Sequence, residues 1–232
     1  MDYSLVCVPF AGGGAGFYRA WKQLPSAAPR IVPIQLPGRE ERFVDEPFRD
    51  AVEAAAALAP LVVEATRGGG PVALFGHSLG AVLAYELARR LEQDEACDLR
   101  HLFVSGSPGP WTGRTDRATG LDDEEFLARV QEFAGYQHEA LADPDMRELL
   151  LPMLRADVEM HENYKPVSDE PLRIPVTSLR GADDTLVSAE QAGEWRSATG
   201  GPFRYVEMPG GHMYLVDSPL PLLEAVVRAV QE

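Results

Sequence analysis

Three features of the 232-residue sequence predict an α/β fold. Short apolar runs of strand length recur along the chain, and their continuous hydrophobicity is that of buried parallel strands. Amphipathic helical patterns separate most of these runs. Late in the chain, helix-start signals follow strand-like runs, as the alternation requires.

The runs are LVCVPF at 5 to 10, IVPIQL at 31 to 36, VALFG at 72 to 76, HLFVSG at 101 to 106, VTSLRG at 176 to 181 and FRYVEM at 203 to 208. A helical pattern through Phe48, Val52, Ala55, Ala59, Val62 and Val63 separates the second and third, and one through Leu79, Val82, Leu83, Leu87 and Leu91 follows the third. Ser188 with Gln191 three residues on predicts a capping box, and Ser218 followed by Pro219 predicts another helix start. From about Pro108 to Pro171 the alternation breaks. Two helical stretches, LDDEEFLARVQEF and MRELLLPMLRADVEMHENY, follow each other there with no strand between them. The second carries Met146, Leu149, Leu150, Met153, Leu154 and Val158, which is more apolar surface than a free-standing helix needs. The insertion at 108–171 therefore reads as a lid over a site, or as helices packed on the main body.

Length and composition, with 45% hydrophobic and 25% charged residues, fit a single globular domain over residues 1–232. A net charge of −15 gives nucleic-acid binding no electrostatic support and favours a monomer. Cys7 and Cys97 do not make a disulfide framework, so a reducing cytoplasm is expected. The start MDYSLVCVPF lacks a signal-peptide pattern, and no apolar run reaches membrane-spanning length. The chain opens directly on its first strand-like run.

The chemistry concentrates in VALFGHSLGAVLAYELARRL, a strand that runs through Gly76-His77-Ser78-Leu79-Gly80 directly into a helix. This is the pattern of a nucleophile elbow. A serine on so sharp a turn adopts strained dihedrals, and side chains two positions either side would collide, so both are glycine. The helix starting at once aims the Leu79 N–H and the positive helix end at an oxyanion. His77 reads as structural. A second oxyanion donor is expected after the first strand, in Pro9-Phe10-Ala11-Gly12-Gly13-Gly14, with the Ala11 N–H as candidate. That run lacks the Gly-Lys-Ser/Thr ending and the spaced glycines of nucleotide loops.

A serine nucleophile needs a base and an orienting carboxylate, each on a loop after a later strand. Ala182-Asp183-Asp184-Thr185 follows one such strand, and Pro209-Gly210-Gly211-His212 follows the next. His101 begins a strand, while His138 and His161 lie in the insertion, which leaves His212 as the well-placed base. No histidine pair or Cys/His cluster has metal-ligand spacing, so neither metal nor cofactor is expected.

With PFAGG at 9 to 13, LPGREER at 36 to 42, GHSLGA at 76 to 81, GADDTLV at 181 to 187 and GGHMYL at 210 to 215, the chain resembles the stand-alone type II thioesterases of polyketide and nonribosomal peptide biosynthesis. The likeness runs nearly end to end. It implies the α/β-hydrolase fold, with a mostly parallel sheet flanked by helices and the insertion as a lid. It also implies Ser78 as nucleophile, His212 as base, Asp184 rather than Asp183 as acid, and Ala11 and Leu79 as oxyanion donors. Thr185 stands where proline is common in the family, and Met213-Tyr214 where an aromatic pair is usual. These departures bear on the acid assignment and on pocket shape at Met213.

The implied activity is hydrolysis of stalled or aberrant acyl groups from the phosphopantetheine arm of acyl or peptidyl carrier proteins. Rival readings are a releasing or cyclising thioesterase, a general carboxylesterase, and a catalytically silent binding protein of the same fold. Met153 and Leu154 are the lid residues expected to contact the acyl chain. Carrier proteins of this kind are usually acidic, so docking is expected to use a local basic patch, for which Arg19, Lys22, Arg39 and Arg42 are candidates. The alternative is internal pairing of Arg39 and Arg42 with Glu40, Glu41 or Asp45.

Overall fold

The computed structural model describes residues 3–23, 29–113, 117–134 and 139–231. Each apolar run forms a strand: β1 Ser4–Val8, β2 Arg30–Pro33, β3 Val72–His77, β4 Leu99–Ser105, β5 Val176–Gly181 and β6 Phe203–Met208. They make one sheet in the order β2-β1-β3-β4-β5-β6, and every pairing is parallel. Strand β2 is shorter than its apolar run. Pro33 brings no N–H to the ladder, and Ile34 to Leu36 continue outside the strand as a connector that stays buried.

Successive residues of the central strands feed two cores. Val6, Val8, Leu74, Val104 and Val176 face one, and Leu5, Cys7, Phe75, Phe103 and Leu179 face the other. The first core is covered by α2 (Ala51–Thr66) and α3 (Leu79–Leu91). The second is covered by α1 (Ala15–Arg19) and its following 3₁₀ turn, and by α8 (Pro219–Gln231). Burial on both faces explains why the strands read as unbroken apolar runs.

Helix α2 departs from its expected face. Asp50 caps it by accepting from the Val52 and Glu53 N–H groups, so the helix starts after Phe48, and Ala51, Ala54, Ala55, Leu58 and Val62 form its buried side. Small alanines let it lie close to α3, a preference that hydrophobicity alone ranks below valine. The Ser188–Gln191 capping box opens α6 (Ala189–Gly193), and α8 begins at Pro219.

The insertion lies between β4 and β5 and contains α4 (Asp123–Ala134), a 3₁₀ turn at Glu139–Ala142 and α5 (Pro144–Asn163). Asp143 caps α5, and Pro144 occupies its first turn. Helix α5 divides its apolar residues between two jobs. Leu151, Leu154 and Val158 pack with Phe126 of α4, whereas Met160 joins the core of the main sheet. Among the described residues, no helix is long and apolar enough to cross a membrane. His138 lies outside the described residues.

From β1 the chain moves one way to β2 and then crosses back to β3. The β1–β3 boundary is thus a switch point, where connections leaving the strand ends in opposite directions open a crevice. The glycine loop after β1 and the serine after β3 both sit there.

Glycines test this packing. A Cβ on Gly80 would stand 2.4 Å from the Val8 carbonyl oxygen and 2.8 Å from that of Pro9, so Gly80→Ala forces β1 and α3 apart. Gly193 has helical angles and nothing within 4 Å of an added Cβ. In urea melts, Gly80→Ala should lose on the order of 3 kcal/mol or more, while Gly193→Ala should gain about 0.5–1 kcal/mol by restricting the unfolded chain.

Candidate active site

Ser78 has φ 54° and ψ −119°, one of two non-glycine residues with positive φ among those described. The strain follows from the turn itself. A Cβ on Gly76 would lie 1.9 Å from the Gly80 carbonyl oxygen, so strand and helix meet backbone to backbone on either side of the serine. The Ser78 N–H donates to the Ser105 carbonyl at 2.8 Å, which ties the elbow to the end of β4. Leu79 is the first residue of α3 and is fully buried. Ala11 is half-buried, in a turn closed by the Gly13 N–H on the Phe10 carbonyl at 2.9 Å.

The loops after β5 and β6 pack against each other just as closely. A Cβ on Gly181 would fall 2.2 Å from the Gly211 carbonyl oxygen, and the Asp183 N–H donates to Gly210. Gly210 takes φ 108°, which turns the chain so that His212 faces back toward the first loop. His212 Nδ1 donates to Asp184 Oδ2 at 2.8 Å, while Asp184 Oδ1 accepts from the N–H groups of Leu186 and Val187 at 2.8 and 3.1 Å. Burial pushes the Asp184 carboxyl up, but the hydrogen bond and charge of His212 and the two N–H donors outweigh it. The net result is a group held below the ordinary carboxylate range. Asp183 is exposed, and of the two aspartates it is Asp184 that meets His212.

Ser78, His212 and Ala11 all open into one cavity of about 580 Å³, within the roughly 300–1,000 Å³ usual for small-molecule sites. Met153 and Leu154 from α5 and Met213 beside His212 line it. Cys7 and Cys97 are poor alternative nucleophiles, since burial pushes the Cys7 thiol up and raises that of Cys97 to about 11. No cluster of His, Cys, Asp or Glu among the described residues is arranged to hold a metal.

The sequence matches the family described as Thioesterase domain over residues 3–232. The chain belongs to this thioesterase family. It is 32% identical over 232 residues to gramicidin S biosynthesis protein GrsT of Aneurinibacillus migulanus, covering 98% of this chain and 88% of that protein. To thioesterase PikA5 of Streptomyces venezuelae it is 37% identical over 216 residues, covering 92% and 75%. Among solved structures, the type II thioesterase BorB from the borrelidin biosynthetic cluster superposes with a TM-score of 0.86 at 35% identity, covering 99% of this chain and 93% of that one. RedJ from the prodiginine pathway of Streptomyces coelicolor gives 0.84 at 32% identity, with 99% and 85% covered. The fold is thus that of the α/β-hydrolase thioesterases, and the chain is an enzyme of thioester cleavage.

The thioesterase departs from its sequence reading at the basic patch. Arg39 is 4% exposed and is no docking residue; nor does it pair with Glu40, Glu41 or Asp45. Its guanidinium binds both oxygens of Asp157 on α5, each at 2.7 Å, a partner too distant in sequence to be read from local spacing. Arg42 does pair internally, with Asp45 at 2.7 Å. Arg19 meets Glu41 at 2.7 Å and Glu40 at 3.4 Å, and Lys22 is exposed.

Several supporting contacts escaped sequence reasoning. His77 Nδ1 and the Tyr214 hydroxyl both bond Ser105 Oγ, at 2.8 and 2.7 Å, and the His77 and His212 rings lie 4.9 Å apart. His77 is thus tied to Ser105 and packed against His212. Arg180 donates to the carbonyls of Ala182 and Asp184 and so wraps the acid loop. Asp157 had a legible signal, since it falls on the apolar stripe of α5 between Leu154 and Val158.

Asp184→Asn should leave the fold intact while lowering kcat by about 10⁴-fold, because an amide in place of the carboxylate favours the wrong imidazole tautomer. Asp183→Asn should change kcat by less than about twofold, since exposed substitutions away from a site are nearly neutral. Steady-state hydrolysis of a small acyl thioester by the two variants makes the comparison.

Proposed function

We propose that Ser78, His212 and Asp184 form a catalytic triad that hydrolyses acyl thioesters carried on the phosphopantetheine arm of acyl or peptidyl carrier proteins, removing stalled or aberrant groups in polyketide or nonribosomal peptide synthesis. The observation that carries this reading is the 2.8 Å bond from His212 Nδ1 to a carboxylate oxygen whose partner oxygen is occupied by two backbone N–H groups. With Nδ1 committed as donor, Nε2 is the nitrogen left to accept a proton, and His212 lines the same cavity as Ser78.

Ser78 Oγ attacks the thioester carbon as its proton passes to His212 Nε2. The negative charge that forms on the carbonyl oxygen is held by the Leu79 N–H at the positive end of α3 and by the Ala11 N–H. The C–S bond then breaks, and His212 returns the proton to the departing thiol. Water attacks the acyl-serine with His212 as base, which releases the carboxylic acid and restores Ser78. Asp184 remains an anion throughout and stabilises the transient imidazolium. No step calls for a metal or cofactor.

The chamber's apolar wall suits an acyl chain, with Phe10, Met153, Leu154 and Met213 around it. Of the basic candidates for carrier docking, Arg19 and Lys22 remain, with Arg19 partly neutralised by its glutamates. The net charge of −15 opposes long-range attraction of an acidic partner, so the carrier encounter depends on short-range contacts.

Incubation with an acyl-carrier protein should yield an acyl-enzyme detectable by intact mass in the wild type and none in Ser78→Ala. Thioesters should turn over well ahead of matched oxyesters, because the leaving thiol is the more acidic. Labelling of Ser78→Ala by a serine-directed phosphonate at the wild-type rate would remove Ser78 from the mechanism. A second expectation concerns chain length. Met153→Trp and Leu154→Trp should cut kcat/KM for long acyl groups by about tenfold or more while sparing acetyl and propionyl thioesters, since overfilling a packed wall excludes the longer ligand first. Equal losses at every length together with a lower Tm would assign these residues to packing alone.

A further inference from the structure

Asp157 lies on α5, 1% exposed, inside the stripe of residues that lines the acyl chamber. Its Oδ1 accepts from Arg39 Nη2 at 2.7 Å. Its Oδ2 accepts from Arg39 Nη1 at 2.7 Å and from the backbone N–H of Gly12 at 2.8 Å. Arg39 in turn donates to the Gly13 carbonyl at 2.9 Å and to the Pro37 carbonyl at 3.2 Å. The buried ion pair therefore grips the turn at residues 10–13 by two consecutive residues, through an N–H on one and a carbonyl on the next.

That turn has a conformational choice. The Gly13 N–H to Phe10 carbonyl bond closes it, and Gly12, its third residue, has φ 75°. A positive φ there, near the ideal of about +80°, marks a type II turn, whereas a type I turn rotates the peptide between the second and third residues by roughly half a revolution. That peptide joins Ala11 to Gly12. In the type I form the Gly12 N–H would point away from Asp157 and the Ala11 carbonyl would turn toward it, so the carboxylate selects the observed orientation of this peptide; the Ala11 N–H belongs to the preceding peptide, between Phe10 and Ala11, which the flip leaves in place.

We infer that Asp157 is a positioning residue for thioester cleavage: with Arg39 it anchors Gly12 and Gly13, and so fixes where the whole turn, including the Ala11 N–H at its second residue, stands relative to the oxyanion. The inference rests on the reading of Ser78 and Ala11 proposed above. Asp157 touches neither substrate nor reacting atoms; it acts through Gly12. Because it sits on the lid helix, closure over the acyl chain and completion of the oxyanion hole become one event. An outward shift of α5 by more than a hydrogen-bond length would release the Gly12 N–H and free the turn.

The role can be separated from stability, because replacing a buried ion pair by apolar residues of similar volume leaves no orphaned charge and is often neutral for folding. The test compares the double variant Arg39→Met/Asp157→Leu and the single variant Asp157→Asn with the wild type. Four quantities are measured: Tm; kcat and KM on an acyl-N-acetylcysteamine thioester; affinity for a trifluoromethyl ketone with the same acyl chain, which forms an oxyanion on Ser78; and affinity for the matching thioether, which fills the chamber without reacting. The double variant should melt close to the wild type and bind the thioether as the wild type does. Its kcat and its affinity for the ketone should fall together, on the order of a hundredfold, as expected when an oxyanion donor is misplaced. Asp157→Asn, which keeps the shape of the side chain, should fall in the same direction by a smaller factor. Unchanged kcat and ketone affinity in both variants would overturn the inference, and so would equal losses of ketone and thioether binding. Ser78→Ala serves as the control: if it still forms the ketone adduct, the nucleophile assignment fails and not the role of Asp157.

Discussion

The close approach of backbone to backbone around Ser78 is the constraint on which the rest of the molecule depends. Strand β3, helix α3 and the end of β1 meet so tightly that neither Gly76 nor Gly80 has room for a side chain. The serine between them is driven to φ 54°, a conformation that a non-glycine residue holds only when its surroundings over-determine it. The two cores on either face of the sheet provide that over-determination, since α3 is buried along almost its whole length. The strain places Ser78 at the mouth of the β1–β3 crevice, with a helix terminus behind it.

A second layer of close approaches brings His212 to the cavity into which Ser78 opens. Gly181 and Gly211 allow the β5 and β6 loops to touch through their main chains, and Gly106, at φ 54°, leaves room for two imidazoles. A Cβ on Gly106 would stand 2.5 Å from His77 Cε1 and 3.1 Å from His212 Cε1. Ser105 then links the layers: its carbonyl receives the Ser78 N–H, and its hydroxyl bonds His77 and Tyr214. This packed frame surrounds Ser78 and His212 on every strand end that reaches the site.

Charge plays a different part from the one that composition suggests. The excess of acidic residues does not lie free around a basic patch, because much of the basic complement is engaged locally. Arg42 pairs with Asp45, Arg49 with Glu159, Arg155 with Asp123, and Arg180 with Glu207. Most of these pairs are exposed, and such contacts contribute little stability each. Arg39 with Asp157 is the exception, a desolvated pair that joins α5, the loop after β2 and the glycine turn.

The sequence by itself determined the α/β class, the six strands, the elbow at Ser78, the loop that carries His212 and the helical insertion between the fourth and fifth strands. All of these are local signals. Unbroken apolar runs, two glycines flanking a serine and a helix cap each depend on neighbours within a few residues. Tertiary structure decided what depends on partners far along the chain. It separated Asp184 from Asp183 by burying one beside His212, rotated α2 onto its alanine face against α3, and moved Arg39 from the surface to a carboxylate 118 residues away. Side-chain charge and spacing cannot distinguish an arginine in water from one that meets a buried aspartate. That difference is set only when desolvation and hydrogen bonding are settled together by the folded chain.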